Sequence, residues 1–188
     1  MINNMRKEMF DHEINILRDT YRRLLRRNAK INLIKLTSKT HPADLAVVFR
    51  HFQDEEQVEI FSLMKESEHT AEFLSELDDS LVNDLLSNEN LERIALIIEK
   101  APTSDQSGIL NVLEEEKAQS VIELLNIDEQ EEIAEIMGYP EDSAGSLMNT
   151  EVFTLHEDIT AGEAIKTLQD QEDAEMVFYL YILMMTTA

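Results

Sequence analysis

From Met5 to Leu36 the apolar positions Phe10, Ile14, Leu17, Tyr21, Leu24 and Ile31 follow one another at steps of three and four, with Asn28 in the remaining seam position. That spacing predicts one long amphipathic helix, because residues three and four apart share a face. The opposite side carries Arg22, Arg23, Arg26 and Arg27. Beyond residue 40 the periodicity breaks into short pieces, each with its own start signal. Thr40 and His41 precede Pro42, a residue suited to the first helical position, and Leu45, Val48, Phe49 and Phe52 follow at i, i+3, i+4 and i+7. Asp54 with Gln57, Thr103 with Gln106 and Asp128 with Glu131 match the capping box, in which two side chains satisfy each other's free backbone N–H groups. Leu91, Ile94, Ala95 and Ile98 form a further helical face, as do Ala118, Val121, Ile122 and Leu125.

These segments run for about eight to eleven residues and restart about every 12 to 14. Helices so short are marginal alone in water and must lean on one another. The expectation is a mainly α fold, a superhelical array of short helices over 41–138 preceded by a basic amphipathic helix over 1–40. After Gly138 the period changes. Glu151–Leu155 alternates like a strand, Thr160 with Glu163 opens a helix carrying Ala164, Ile165 and Leu168, and Val177–Ile182 is aromatic and β-branched. Strand, helix, strand predicts a parallel crossover over 151–188, and one such unit cannot cover both faces of its sheet. This second module therefore reads as a partial α/β unit, with an apolar edge at 178–183 prone to association.

Charge sharpens the division. The net charge is −23, but residues 1–40 hold ten Lys/Arg against four Asp/Glu and the remainder six against 35, balances of +6 and −29. An acidic body repels nucleic acid, whose affinity for proteins rests on neutralised phosphates. The basic helix is compatible with docking on its own body, on anionic lipid or on a protein partner. The longest apolar run, Met176–Met185, is ten residues, too short to span a bilayer. Charged residues within the first 13 positions argue against a secretory signal. The absence of cysteine excludes a disulfide framework, a thiolate zinc site and a cysteine nucleophile. The five histidines form no His-x-x-x-His pair, and the four glycines assemble no phosphate-cradling loop, so no enzyme is expected.

Between the two halves lies Gly138-Tyr139-Pro140-Glu141-Asp142-Ser143-Ala144-Gly145-Ser146-Leu147-Met148. Pro140 disfavours helix at the residue before it, and Ser143, Ala144 and Gly145 permit close backbone approach. Residues 139–150 thus read as a stiff, close-packed junction, with Tyr139, Pro140, Ser143, Ala144, Gly145, Leu147 and Met148 as its packing residues. The ten residues from Tyr139 to Met148 closely resemble the junction of MgtE-type magnesium transporters, between their helical N domain and first cystathionine-β-synthase-type (CBS) domain. His41–Ala46, Ala71–Asp78 and Ala174–Ile182 are similar to further parts of that family, so the resemblance spans about 41–182.

The resemblance implies a cytosolic regulatory portion of a magnesium transporter, at the inner face of the cell membrane, working as a homodimer beneath a transmembrane pore domain. It also implies regulatory Mg2+ between acidic faces of these domains. Facing carboxylates repel, and a divalent cation bridges them. The candidate ligands are Asp105, Glu141, Asp142, Glu157 and Asp158. Two departures stand out. The chain reaches only the second CBS strand, so it is expected to hold no pore and too little of a cleft for tight nucleotide binding. Where the family carries an Asp-Asp-x-x-Asp pattern, this chain has Ser104-Asp105-Gln106-Ser107-Gly108. The contiguous Glu114, Glu115 and Glu116, and the helical-face set Asp128, Glu131, Glu132 and Glu135, read as solvated faces. The alternative function is a stand-alone acidic helical scaffold for protein–protein interaction, similar to middle domains of flagellar motor-switch proteins.

Overall fold

A computed structural model describes residues 2–140, 143–145, 148, 153–170 and 180–183. The chain divides into two compact units, Met1–Met148 and Asn149–Ala188. The first unit contains ten helices among its described residues: α1 (Ile2–Arg26), α2 (Lys30–Thr37), α3 (Pro42–Phe49), α4 (Asp54–Ser62), α5 (Glu68–Ser75), α6 (Asp79–Ser87), α7 (Leu91–Ile98), α8 (Thr103–Val112), α9 (Glu115–Ile122) and α10 (Ile127–Met137).

Apart from α2, which packs on α1, each helix packs mainly on the second neighbour along the chain. One run is α1–α3–α5–α7–α9 and the other α4–α6–α8–α10, with α5 and α9 also touching α8 between the runs. The even helices begin at 54, 79, 103 and 127, so the repeat is a helix pair of 24 or 25 residues. This is the expected superhelical array, each repeat burying its apolar face on the next. A single core runs from Ile14 to Ile133, with Phe49, Phe61, Phe73, Leu86, Ile94 and Ile98 all but fully enclosed. At one end Tyr21, Phe52, Phe49 and Phe73 pack edge to face in sequence, at 5.6, 6.2 and 5.0 Å between ring centres.

The single helix expected over 5–36 is two helices. Asn28, assigned to the apolar seam, is exposed and adopts the left-handed conformation at φ 49°. Its N–H donates to Leu25 O at 2.8 Å, and the Ala29 N–H donates to Leu24 O at 3.0 Å. That pair of bonds is a Schellman cap, and asparagine is the residue after glycine best able to occupy it. Ile31 consequently leaves the seam and stands 71% exposed, while Leu33 takes the buried position.

Elsewhere the helix ends have another solution. Among the described residues no glycine has positive φ and Asn28 is the one non-glycine that does, so left-handed caps do not satisfy the other terminal carbonyls. Eight-residue helices leave half their carbonyls without intrahelical donors. Two series of side chains supply them. On odd helices, His69 Nε2 donates to Thr40 O at 2.8 Å, beyond α2. Arg93 donates to Phe61 O and Met64 O at 2.9 and 3.0 Å, at the end of α4. Lys117 donates to Leu86 O and Ser87 O at 2.6 and 2.8 Å, at the end of α6. These three donors lie 24 residues apart. On even helices, Gln57 donates to Phe49 O at the end of α3, and Gln106 and Gln130 donate to Ala101 O and Leu125 O, just beyond the ends of α7 and α9.

The glutamine series explains why the expected capping boxes miss their registers. Gln57 and Gln106 turn back to the previous helix instead of capping their own, and the boxes form at Gln53 with Glu56 and at Asn126 with Glu129. Glu131 is exposed on α10, beyond the box.

The second unit holds β1 (Thr154–His156), α11 (Ala161–Asp170) and β2 (Tyr181–Leu183). The two strands pair in parallel, Leu155 opposite Ile182, as the strand–helix–strand reading predicts. Thr160 and Glu163 form the expected start of α11: the Thr160 hydroxyl donates to Glu163 at 2.7 Å and its N–H at 2.9 Å, and these bonds, the hydroxyl's first, hold the exposed carboxyl below its ordinary range. Leu155 and Ala164 are buried, whereas Leu180, Tyr181, Ile182 and Leu183 are 45–61% exposed. The outer residues of the expected strands, 151–152 and 177–179, lie outside the described residues.

Candidate functional site

Asp105 lies in the first turn of α8, where a carboxylate meets the positive end of the helix dipole. On the neighbouring α6, Asp79 also occupies the first turn. Both line an open cleft of about 170 Å3, with Leu74, Ser75 and Leu77 from the end of α5 and Gly108 on α8. Sequence reasoning did not select Asp79. Its signal was the acidic pair Asp78-Asp79 at a helix start, but only the stacking of α6 on α8 brings the second carboxylate to the cleft of Asp105. Asp78 is committed elsewhere, 3.1 Å from Arg50 Nε.

The other expected ligands divide. Glu141 and Asp142 lie outside the described residues. Glu157 and Asp158 are exposed in the turn after β1, with Asp158 Oδ2 at 3.3 Å from His156 Nδ1. Magnesium demands near-octahedral oxygen coordination and takes one or two carboxylates together with water. Asp79 and Asp105 offer two carboxylates. Among the described residues no group of three or more His, Asp or Glu could hold a metal ion, so they form no complete protein cage. Glu114, Glu115, Glu116, Asp128 and Glu135 are exposed.

The described part of the junction is close-packed at one point. A Cβ placed on Gly145 would lie 2.4 Å from the Tyr139 ring, so no other residue fits there without moving the ring. Ser143 N–H donates to Pro140 O at 2.9 Å and Met148 N–H to Gly145 O at 3.2 Å, turning the chain twice. Ala144 and Met148 are exposed, and Leu147 lies outside the described residues.

The basic helix docks on its own body in part. Ile14 and Tyr21 are buried against the first unit, and Arg22 donates to His51 O at 2.7 Å and approaches Glu56 at 3.8 Å. The Tyr21 hydroxyl donates to Thr37 at 3.1 Å; burial pushes the phenol above its ordinary value, and the Thr37 and Thr40 hydroxyls offset part of that rise. Arg23 and Arg27 remain exposed. His41 accepts from the Ala43 N–H at 3.3 Å, the helix-start role expected of it.

A stack of short helical repeats, followed by a small parallel α/β unit, defines the class as a mainly α helical-repeat protein. The model of the MgtE intracellular N domain matches residues 40–142, more than half of the 188, and the chain belongs to that family. Two solved structures share the fold. The cytosolic domain of the Mg2+ channel MgtE in complex with ATP superposes with a TM-score of 0.80 at 24% identity, over 88% of this chain and 68% of that one. The soluble part of a magnesium transporter gives 0.77 at 18%, over 92% and 68%. No curated protein matches the sequence significantly. Among the described residues no helix is long and apolar enough to cross a membrane.

Proposed function

We propose that the chain is the cytosolic regulatory portion of a magnesium transporter, a non-enzymatic module acting on a pore domain supplied outside this segment. The observation that carries the reading is the match of the MgtE intracellular N domain to residues 40–142. In this reading 1–40 is a basic N-terminal helix, 41–138 the N domain, 139–150 the junction and 151–188 the start of a CBS domain. The parallel β1–α11–β2 crossover supports the last assignment. The chain works in the cytoplasm at the inner face of the membrane, as a homodimer.

Magnesium sensing through Asp105, Glu141, Asp142, Glu157 and Asp158 belongs to the same reading, with Asp79 added by the cleft it shares with Asp105. A magnesium titration followed by backbone amide NMR, with calcium and high-salt controls, tests it. Saturable magnesium-specific shifts at Asp79, Asp105 and the 141–158 region are expected. Weak, uniform shifts reproduced by sodium would instead favour the stand-alone acidic scaffold. One of the two structural relatives was solved with ATP. For this chain we expect no tight nucleotide binding, and an ATP titration with micromolar affinity would overturn that expectation.

A further inference from the structure

The sharpest charge segregation in the molecule lies around the turn between α1 and α2. Residues 20–53 hold eight Lys/Arg and a single acid, Asp44, a balance of +7, while the rest of the chain stands at −30. Three of these cations are committed inside the protein: Arg22 to His51 O, Arg26 to Arg22 O, and Arg50 to Glu76 O and Asp78. Arg23, Arg27, Lys30, Lys35 and Lys39 are all exposed, and none forms an ion pair among the described residues.

One large apolar side chain, Ile31, stands among them, and a second, Ile16, lies two turns from Arg23 along α1, beside the exposed Asp19. Ile16 is 54% exposed and Ile31 is 71% exposed. Ile16, Arg23 and Arg27 share one stripe of α1, at i, i+7 and i+11, and Ile31 and Lys35 share a face of α2, at i and i+4. The Asn28 cap sets the second segment off from the first, and its left-handed turn moves Ile31 from the buried seam to the surface.

We infer that the exposed cations and isoleucines of α1 and α2 form a docking surface for an anionic lipid bilayer. Charge complementarity favours an anionic occupant, and the isoleucines decide which kind. At a bilayer interface an apolar side chain enters the acyl boundary while lysine and arginine remain among the headgroups. An acidic protein face would have to desolvate its carboxylates against Ile31, which costs free energy and returns nothing. The strongly acidic remainder is repelled by the same membrane, so binding is orientation-specific, with the α1–α2 turn facing the lipid. This inference goes beyond the transporter reading and does not depend on it.

The test is cosedimentation of the full chain with vesicles of phosphatidylcholine alone and with about 30 mol % phosphatidylserine, at about 50 and about 300 mM salt. Binding is expected on the anionic vesicles only, and it should weaken steeply with salt. Each surface cation contributes about fivefold to affinity, so Arg27→Gln with Lys30→Gln should weaken binding about 25-fold. Ile31→Ser should weaken it about tenfold without changing the salt dependence. All three positions are exposed, and unchanged thermal unfolding would verify the fold. Equal partitioning to neutral and anionic vesicles at low salt, or full binding by the double variant, would overturn the inference. So would salt-sensitive self-association abolished by the same variants without anionic-vesicle binding, because the occupant would then be a second copy's acidic body.

Discussion

Arg93 concentrates more interactions than any other charged side chain described here, and its replacement tests the end-satisfaction scheme of the repeat stack. Its guanidinium donates to Phe61 O and Met64 O, pairs with Glu66 at 3.1 Å and with Glu89, and lies 4.7 Å from the centre of the Phe61 ring. Only 15% of the side chain is exposed. A hydrogen bond from a charged donor contributes about 1.5–3 kcal/mol net, and Arg93→Ala removes two that end on backbone carbonyls. The stacking contact adds about 1 kcal/mol, and the partly exposed ion pairs add little beyond it. Non-additivity and water reaching the opened site reduce the sum to about 3–4 kcal/mol. For a chain of this length that corresponds to a fall of roughly 6–15 °C in Tm.

Urea denaturation is the direct assay, since a lower midpoint with unchanged slope reports stability alone. Arg93→Lys should lose about half as much, because a point charge reaches one carbonyl where the planar fork reaches two. Arg23→Ala, a change at an exposed and unpaired arginine, should stay within about 0.5 kcal/mol. An Arg93→Ala loss below about 1 kcal/mol, indistinguishable from Arg23→Ala, would refute the scheme. The carbonyls at the end of α4 would then be satisfied equally well by water.

Three further outcomes follow from the same structure. Lys117→Met should cost about 2–3 kcal/mol by urea denaturation, since Nζ donates to Leu86 O, Ser87 O and Glu89 O, and a loss below about 0.5 would show that α6 needs no external cap. Burial raises the folded pKa of Tyr21 above the ordinary 10.0 of a phenol, so its contribution is complete below about pH 10 and is lost as pH rises through the folded value. Tyr21→Phe should therefore lower stability by about 1 kcal/mol at neutral pH through the lost Thr37 bond and flatten the alkaline fall, whereas an unchanged alkaline slope would contradict the assignment. Gly145→Ala should cost about 1 kcal/mol by displacing the Tyr139 ring, and Tyr139→Ala should cancel most of that cost, so strictly additive single and double variants would argue against the close approach.

The candidate site was legible only in part. Asp105 came from the family resemblance, as the acid left in the stretch matching the Asp-Asp-x-x-Asp pattern, but its companion in the cleft, Asp79, lies 26 positions away and no periodicity of charge connects them. The stacking of α6 on α8 does. The cap donors show the same limit. His69, Arg93 and Lys117 share no residue type, so their 24-residue spacing carries no compositional signal, although all three present a hydrogen-bond donor at one point of the repeat. Gln57 and Gln106 were noticed for the right position and the wrong partner, because a glutamine near a helix start reaches its own N-cap or the preceding helix end with equal chemistry.

By itself the sequence determined the helical class, the short-helix array, the change to a strand–helix–strand unit after Gly138 and the polarity between a basic start and an acidic body. Each is local: a period of 3.6 or 2, a proline, a change in charge density, all written within one or two turns of chain. The break after α1 is local, set by the left-handed Asn28, but only tertiary structure decided which helices are neighbours, which carboxylate joins Asp105 and which distant donors close the ends of α4 and α6. At those helix ends a carbonyl finds its donor 29 to 32 residues away, as Phe61 and Met64 find Arg93 and Leu86 finds Lys117. The cost of a buried unpaired carbonyl selects that partner in space, and distance along the chain does not enter.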